Sequence, residues 1–376
     1  MKRFASAAGL LFSFLTLSIY VLVSFAQAGQ VTRGQPHYRV LPPTSQGNLT
    51  MFPVVSDASF DTTAFLTLDE GVRSGRVVIT EAGQARGLIR PRGVDPGIWQ
   101  ERPFPIPQSS ARVNELALTN NSERPLILLA GEIVTGGKQD RVVGKDRIIP
   151  AHSGAVALSV FCVEPHRWTE TSTQFGAMQF SMAQPSIRSK AMADQNQQEV
   201  WNQVNESRMA FAATVPLSEG QVQSTSSYAK ALQSSRVSAQ IDVIAQPFER
   251  SYDDLFHRMR GQGAVGVIVA VNNELIWVDL FASPKLFEQY WPKLVRSYVA
   301  ESMRPRILLP KIRFAPTQDR AQAYLDDMSA GHETIDSDPG VYRTTELTGS
   351  DFEAFILTSL LPHTGFSVHI AKMKQS

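Results

Sequence analysis

The chain has 376 residues, with 36 Lys and Arg against 35 Asp and Glu, so its net charge is close to zero. This balance gives no electrostatic basis for binding nucleic acid or an anionic membrane, and it favours small partners. A single cysteine, Cys162, excludes an intramolecular disulfide, so the fold must rest on a large packed core.

Met1-Lys2-Arg3, an apolar stretch from Gly9 to Phe25 and Ala26-Gln27-Ala28 follow the charged, apolar and small-residue order of a secretory signal peptide cleaved after Ala28. The expectation is therefore a periplasmic or secreted protein. Retention of the apolar stretch as an N-terminal membrane anchor is the alternative. No later segment is apolar enough to span a bilayer, so no membrane contact is expected after cleavage.

Residues 29–47 are polar with scattered Pro and Gly and are expected to be a linker. Short Val-, Ile-, Leu- and Phe-rich runs follow: Leu49 to Val55, Ala64 to Leu68, Arg76 to Thr80, Val113 to Leu118, Leu126 to Val134, Arg141 to Ile149 and Ala155 to Val163. Their spacing is that of β-strands. Leu126 to Ala130 is apolar on both alternating faces, which predicts a strand covered on both sides. Gly136-Gly137 between two such runs predicts a hairpin turn. Val156, Leu158, Val160 and Cys162 share one strand face, which points the thiol inward.

From Ala191 to Phe211 the apolar residues recur at helical spacing, and serine-rich Ser224 to Ser238 suggests a helix flanked by loops. Tyr252 to Arg260 reads as a helix, with Asp253-Asp254 as its N-terminal acids. Strands over Ala264 to Val271 and Leu275 to Phe281 join at Asn272-Asn273. Ser283-Pro284 caps a helix carrying Leu286, Phe287, Tyr290, Leu294 and Tyr298 on one stripe, with Pro292 expected to kink or divide it. Asp279 lies in an apolar strand and needs a buried partner, which the sequence does not name.

The fold class expected is α+β, a mainly antiparallel β N-terminal half followed by a mixed helix and strand half. Its parts are a β-rich region at 48–185, an α/β region at 186–310 and a C-terminal extension at 311–376 with a hairpin from Phe352 to Leu360 and Phe366 to Ala371.

Polar residues concentrate between Gly131 and Trp168. Gly136-Gly137-Lys138 departs from a phosphate loop, because Gly131 is one residue too far from Gly137 and Gln139 follows the lysine. Its backbone N–H groups, with Lys138 and Arg141, suit a small anion; a hairpin turn with solvated basic residues is the plainer reading. Cys162, Glu164 and His166 bring a thiol, a carboxylate and an imidazole within five residues, but catalytic Cys and His usually come from distant segments, so Cys162 reads as structural rather than nucleophilic. Arg167-Trp168 can frame a planar or anionic ligand. The seven histidines show no metal-ligand spacing, and neither a metal nor a cofactor is expected.

Asn48-Leu49-Thr50-Met51-Phe52-Pro53, Leu66-Thr67-Leu68-Asp69-Glu70, Thr80-Glu81, Gly131-Glu132, Gly137-Lys138-Gln139-Asp140-Arg141 and Cys162-Val163-Glu164-Pro165-His166-Arg167-Trp168 occur in this order. Together they resemble the bacterial family named for its association with ADP-ribosylglycohydrolase and rhodanese-phosphatase proteins, over roughly residues 45–302. The resemblance implies Gly131, Glu132, Lys138, Gln139, Arg141, Cys162, Glu164, Arg167 and Trp168 as signature positions, and a link to ADP-ribose or NAD metabolism by association. Asp140 stands where the family commonly has Asn, and His166 where it commonly has Gly.

Two functions follow as expectations. One is binding or hydrolysis of a small anionic metabolite, such as a nucleotide or ADP-ribose derivative, with Gly136, Gly137, Lys138, Gln139, Arg141, Arg167 and Trp168 as contacts and Glu132 or Glu164 as base. The other is a non-catalytic envelope domain in which Arg141 or Arg167 pairs with Glu132 or Glu164 inside a buried polar network.

Overall fold

The computed structural model describes residues 36–85, 114–215, 220, 222, 224–258, 263–304 and 314–375. The signal peptide expected at Met1 to Ala28, and Val113 at the start of one expected strand, lie outside the described residues. The architecture is α+β, and among the described residues the strands pair antiparallel apart from one parallel pair.

Near the N-terminus, β1 (Tyr38–Val40) and β2 (Thr44–Gln46) form inside the stretch expected to be a linker, and β3 (Leu49–Ser56) is the strand expected from Leu49 to Val55. A nine-stranded sheet joins them to β13 (Ala264–Val271), β14 (Glu274–Phe281), β15 (His332–Asp338), β16 (Tyr342–Thr348), β17 (Phe352–Ser359) and β18 (Ser367–Lys374). Every residue of β3 and of β13 is buried, which is why both are almost wholly apolar. Because β3 pairs with β13 and β18 pairs with β14, strands from both ends of the chain complete one sheet. The segment 311–376, expected as an extension beyond the main body, is instead integral to it, and the expected division near residue 185 is crossed by the β3–β13 pairing. The Asn272-Asn273 turn forms as expected, with φ of 52° and 63°.

β4 (Leu66–Thr67), β7 (Leu126–Leu128) and β10 (Arg147–Ile149) form a small sheet with the fully buried β7 in its centre. Six further strands, in the order β12 (Phe175–Met182), β8 (Glu132–Gly136), β9 (Arg141–Val143), β11 (Ala155–Cys162), β6 (Glu115–Asn120) and β5 (Val77–Glu81), make a second large sheet. This sheet curls until β5 comes back against β12. Val77, Ile79, Leu116, Leu118, Val134, Val143, Val156, Leu158, Val160 and Phe175 fill its inside as one apolar cluster. Period-two alternation brings them there. β12 escapes the sequence pattern because Gln179 and Ser181 interrupt its apolar positions.

Helices cover the sheets. α1 (Leu68–Arg73) starts with a capping box in which Thr67 and Glu70 bond each other's backbone N–H. α2 (Pro185–Ser189) leads through a π-turn, Lys190–Asp194, to α3 (Gln197–Thr214), capped by Asn196. The serine-rich stretch divides at Ser234 into α4 (Tyr228–Gln233), capped by Ser227, and α5 (Ser235–Arg258). Asp253 and Asp254 therefore lie in the last third of a long helix, not at its N-terminus. α6 (Pro284–Ser302) starts on Ser283 and Pro284 as expected, and it runs unbroken through Pro292 because its buried stripe is held against β12 and β13. Tyr252 of α5 stacks on Trp291 of α6 with centroids 3.8 Å apart. α7 (Gln318–Asp326) lies beside β1.

Candidate functional site

One mouth of the curled sheet collects most of the signature residues. Arg141 is the register partner of Cys162 on one side and Val134 on the other, so all three share a face. Val134 belongs to the interior cluster, which places Arg141 on the inward face at the mouth. Glu81 continues the inward series Val77, Ile79 and arrives at the same end. Its Oε1 accepts a hydrogen bond from the Lys138 N–H at 2.8 Å. The Gly-Gly turn is required here: Gly136 and Gly137 have φ of 123° and 49°, and a Cβ on Gly137 would stand 2.2 Å from the Phe175 ring.

Trp168 covers this mouth. The residue is 46% exposed, with the Lys138 Nζ 5.3 Å and the Arg141 guanidinium carbon 6.0 Å from the centroid of its ring. Arg141 itself is wholly buried. Its Nη1 makes one long bond, 3.5 Å, to the Asp140 carbonyl, while Nε and Nη2 have no hydrogen-bond partner. Glu81 Oε2 and Gln139 Oε1 are likewise buried and unpartnered. Burial depresses the Arg141 pKa, with the neighbouring charge of Glu81 acting in the opposite sense.

Around the rim runs a denser ionic network. Arg167 Nη2 contacts Glu164 Oε2 at 2.5 Å and Asp140 Oδ1 at 3.4 Å, and Arg167 Nη1 donates to the carbonyls of Gly137 at 3.0 Å and Thr169 at 2.7 Å. The Asp140 N–H donates to Glu164, Gln139 Nε2 donates to the Glu164 carbonyl, and Lys230 lies 3.7 Å from Glu164. Ser227, while capping α4, donates to Asp140 Oδ2 at 2.7 Å. Burial would raise the Glu164 pKa, but Arg167 and the Asp140 N–H outweigh it and hold the carboxyl below its ordinary value. Asp140 moves the other way, raised by burial and by the Glu164 charge against the bond from Ser227. A carboxylate so firmly ionised is a poor general base near neutral pH, so Glu164 is chiefly an ion-pair partner.

Glu132 does not join this group. It sits at the far end of β8 from the turn, wholly buried, with Oε1 on Lys293 Nζ at 2.7 Å and Oε2 on the Leu129 N–H at 2.9 Å. Lys293 also reaches Asp69 at 2.9 Å. Burial raises the Glu132 pKa and Lys293 opposes it. Gly131, at φ 94°, lets Arg188 pass within 2.6 Å of where a Cβ would be. Cys162 is buried as expected, and burial pushes its thiol up, which keeps it protonated. His166 is exposed on the loop after it, at φ 73°, a conformation that favours glycine.

Asp279 finds its partners in a separate buried centre. Arg188 grips it through two nitrogens at 2.8 and 2.9 Å, Trp277 Nε1 donates at 2.8 Å, and Tyr298 donates a fourth bond. His369 bridges Asp279 at 3.1 Å and Asp146 at 2.5 Å. Burial opposes ionisation of Asp279, but Arg188 and His369 hold it far below the usual carboxylate range. This centre ties β14, β18, α2 and the turn before β10 together, so it has a structural task. Among the described residues, no group of His, Cys, Asp and Glu is arranged to hold a metal ion.

The structure therefore brings together Gly136, Gly137, Lys138, Gln139, Arg141, Cys162, Glu164, Arg167 and Trp168, and leaves Glu132 and Gly131 elsewhere. It adds Glu81, Asp140, Ser227 and Lys230. Glu81 carried a signal in sequence, an acid in phase with the inward residues of its strand; Ser227 and Lys230 carried none, being 87 and 66 residues or so from their partners along the chain. No curated protein and no solved structure matches the chain. A family profile matches residues 37–372, reaching past the region of the signature motifs on both sides, and the chain thus belongs to the ARG and Rhodanese-Phosphatase-superfamily-associated Protein domain family.

Proposed function

We propose that this protein is an exported binding domain for a small anionic metabolite, taken at the mouth formed by Glu81, Lys138, Arg141 and Trp168. The observation that carries the reading is the convergence of the Gly136 to Arg141 turn and the Cys162 to Trp168 segment, which sets two cations against one half-exposed indole. Mouths of curled sheets are frequent ligand sites, and an aromatic face beside cations suits a planar, negatively charged molecule. The family's association with ADP-ribosylglycohydrolase proteins makes nucleotide and ADP-ribose derivatives natural members of the test panel. Binding is favoured over hydrolysis, because Glu132 is committed to Lys293 and Glu164 to Arg167.

A thermal-shift panel of ADP-ribose, nucleotides, inorganic phosphate and small carboxylates tests this. A ligand at a hundred times its Kd stabilises by about 2.7 kcal/mol. No shift with any anion would end the reading. The closed Arg167–Glu164–Asp140–Ser227 network supports a second one, a non-catalytic domain in which the signature residues serve to fix two loops and α4.

A further inference from the structure

The two unpartnered nitrogens of Arg141 are Nε and Nη2, which together form the side-on fork of the guanidinium. That edge presents two parallel N–H donors at the spacing of a carboxylate's oxygens. A solvated surface arginine would bond water there, but this side chain is wholly buried, on the inward face of the curled sheet. An ion in that position without a partner is costly, and the local chain supplies only the long bond to the Asp140 carbonyl. Glu81, 2% exposed and on the same inward face, leaves its Oε2 equally unpartnered while Oε1 holds the Lys138 N–H. The mouth thus offers a bidentate donor pair and an anionic acceptor beside it.

The charge balance narrows the ligand. Arg167 is engaged by Glu164 and Asp140, and Lys230, 3.7 Å from Glu164, balances the second charge of that acidic pair. Lys138 and Arg141 against Glu81 leave one net positive charge, which matches a monoanion. A phosphate monoester carries about −1.5 to −2 at neutral pH and would place its second charge against Glu81. A carboxylate fits both the fork and the balance, and an O–H donor on the adjacent carbon would satisfy Glu81.

Resting on the binding reading above, we propose that Arg141 anchors the carboxylate of an α-hydroxy acid through its Nε–Nη2 edge, that Glu81 accepts a hydrogen bond from the α-hydroxyl, and that Trp168 covers the bound molecule. Aromatic members of the class, stacking on the indole, are the best probes.

The test uses the full-length protein, its Arg141→Met, Arg141→Lys and Glu81→Gln variants, and the probes 3-phenyllactate, L-phenylalanine, 3-phenylpropionate, inorganic phosphate and ADP-ribose, read by thermal shift and calorimetry. The ligand-free Arg141→Met protein is expected to melt within about 5 °C of the wild type, since removing a buried cation whose fork makes no bond is set against leaving the nearby Glu81 charge uncompensated. Both Arg141 variants lose at least about tenfold in affinity for 3-phenyllactate, including the lysine that keeps the charge but not the fork. Glu81→Gln narrows the preference for 3-phenyllactate over 3-phenylpropionate, which lacks the α-donor. A fall of more than about 5 °C in the ligand-free melting temperature of Arg141→Met together with unchanged binding by Arg141→Lys would show a structural arginine and overturn the proposal. Shifts with phosphate or ADP-ribose but with none of the carboxylates would also overturn it, while leaving the broader binding reading in place. No shift with any probe removes both.

Discussion

Replacing Asp279 by Asn removes the one carboxylate that holds Arg188 through two bonds, and that also receives Trp277, Tyr298 and His369, at a site with no exposure to solvent. Breaking a buried pair from one side leaves the other charge uncompensated and costs about 3–5 kcal/mol. Unfolding entropy of roughly 2.1 cal/mol/K per residue, over the compact unit Pro36–Ser376, amounts to about 0.7 kcal/mol per degree, so the melting temperature should fall by roughly 4–7 °C. The assay is a calorimetric melt of the single variant, of Arg188→Met and of the double variant. The double should cost clearly less than the two singles added, because it removes both members of the pair. A single-variant loss under about 1 °C, or strict additivity, would refute the view of this centre as a coupled buried pair.

Two further outcomes follow from the same region. His369 is pushed up to about 9: burial alone would lower it, but Asp146 and Asp279 outweigh the burial. Its proton is therefore held more tightly in the folded chain than at the ordinary value of 6.5. The stabilisation, about 3 kcal/mol, is complete below pH 6.5 and is lost as pH rises towards 9. Denaturant melts of wild type and His369→Gln across that window should converge with rising pH, and parallel curves would contradict the assignment. Gly131→Ala forces a Cβ against the Arg188 side chain at a φ of 94°, and should cost more than about 1 kcal/mol in chemical denaturation; a neutral outcome would mean that Arg188 can move without loosening its grip on Asp279.

The sequence by itself determined the local elements whose causes are local. Alternation in Val156 to Cys162 placed the thiol inside, the glycine pair made the turn before Lys138, and Ser283 with Pro284 started α6. It also held the family signature, but whether the turn and the Trp168 segment meet depended on a strand order that only the folded sheet supplied. Local pattern failed where neighbours outvote it: β12 is polar enough to look like loop, and α5 absorbs Asp253 and Asp254 into a helix body that packing on α6 keeps long.

Only the tertiary structure decided which charges meet. Glu132 and Lys138 are close in sequence, yet they lie at opposite ends of β8 and its turn, because a strand rises about 3.3 Å per residue and carries the carboxylate away from the mouth. Glu81, Ser227 and Lys230 come to the same place from distant segments, and β3 and β18 close one sheet from the two ends of the chain. Hydrophobic periodicity fixes which face of an element is buried, but it is blind to which other element covers that face. The partners of Arg141, Glu164 and Asp279 are a property of that covering, and so they became visible only once the sheets had curled and packed.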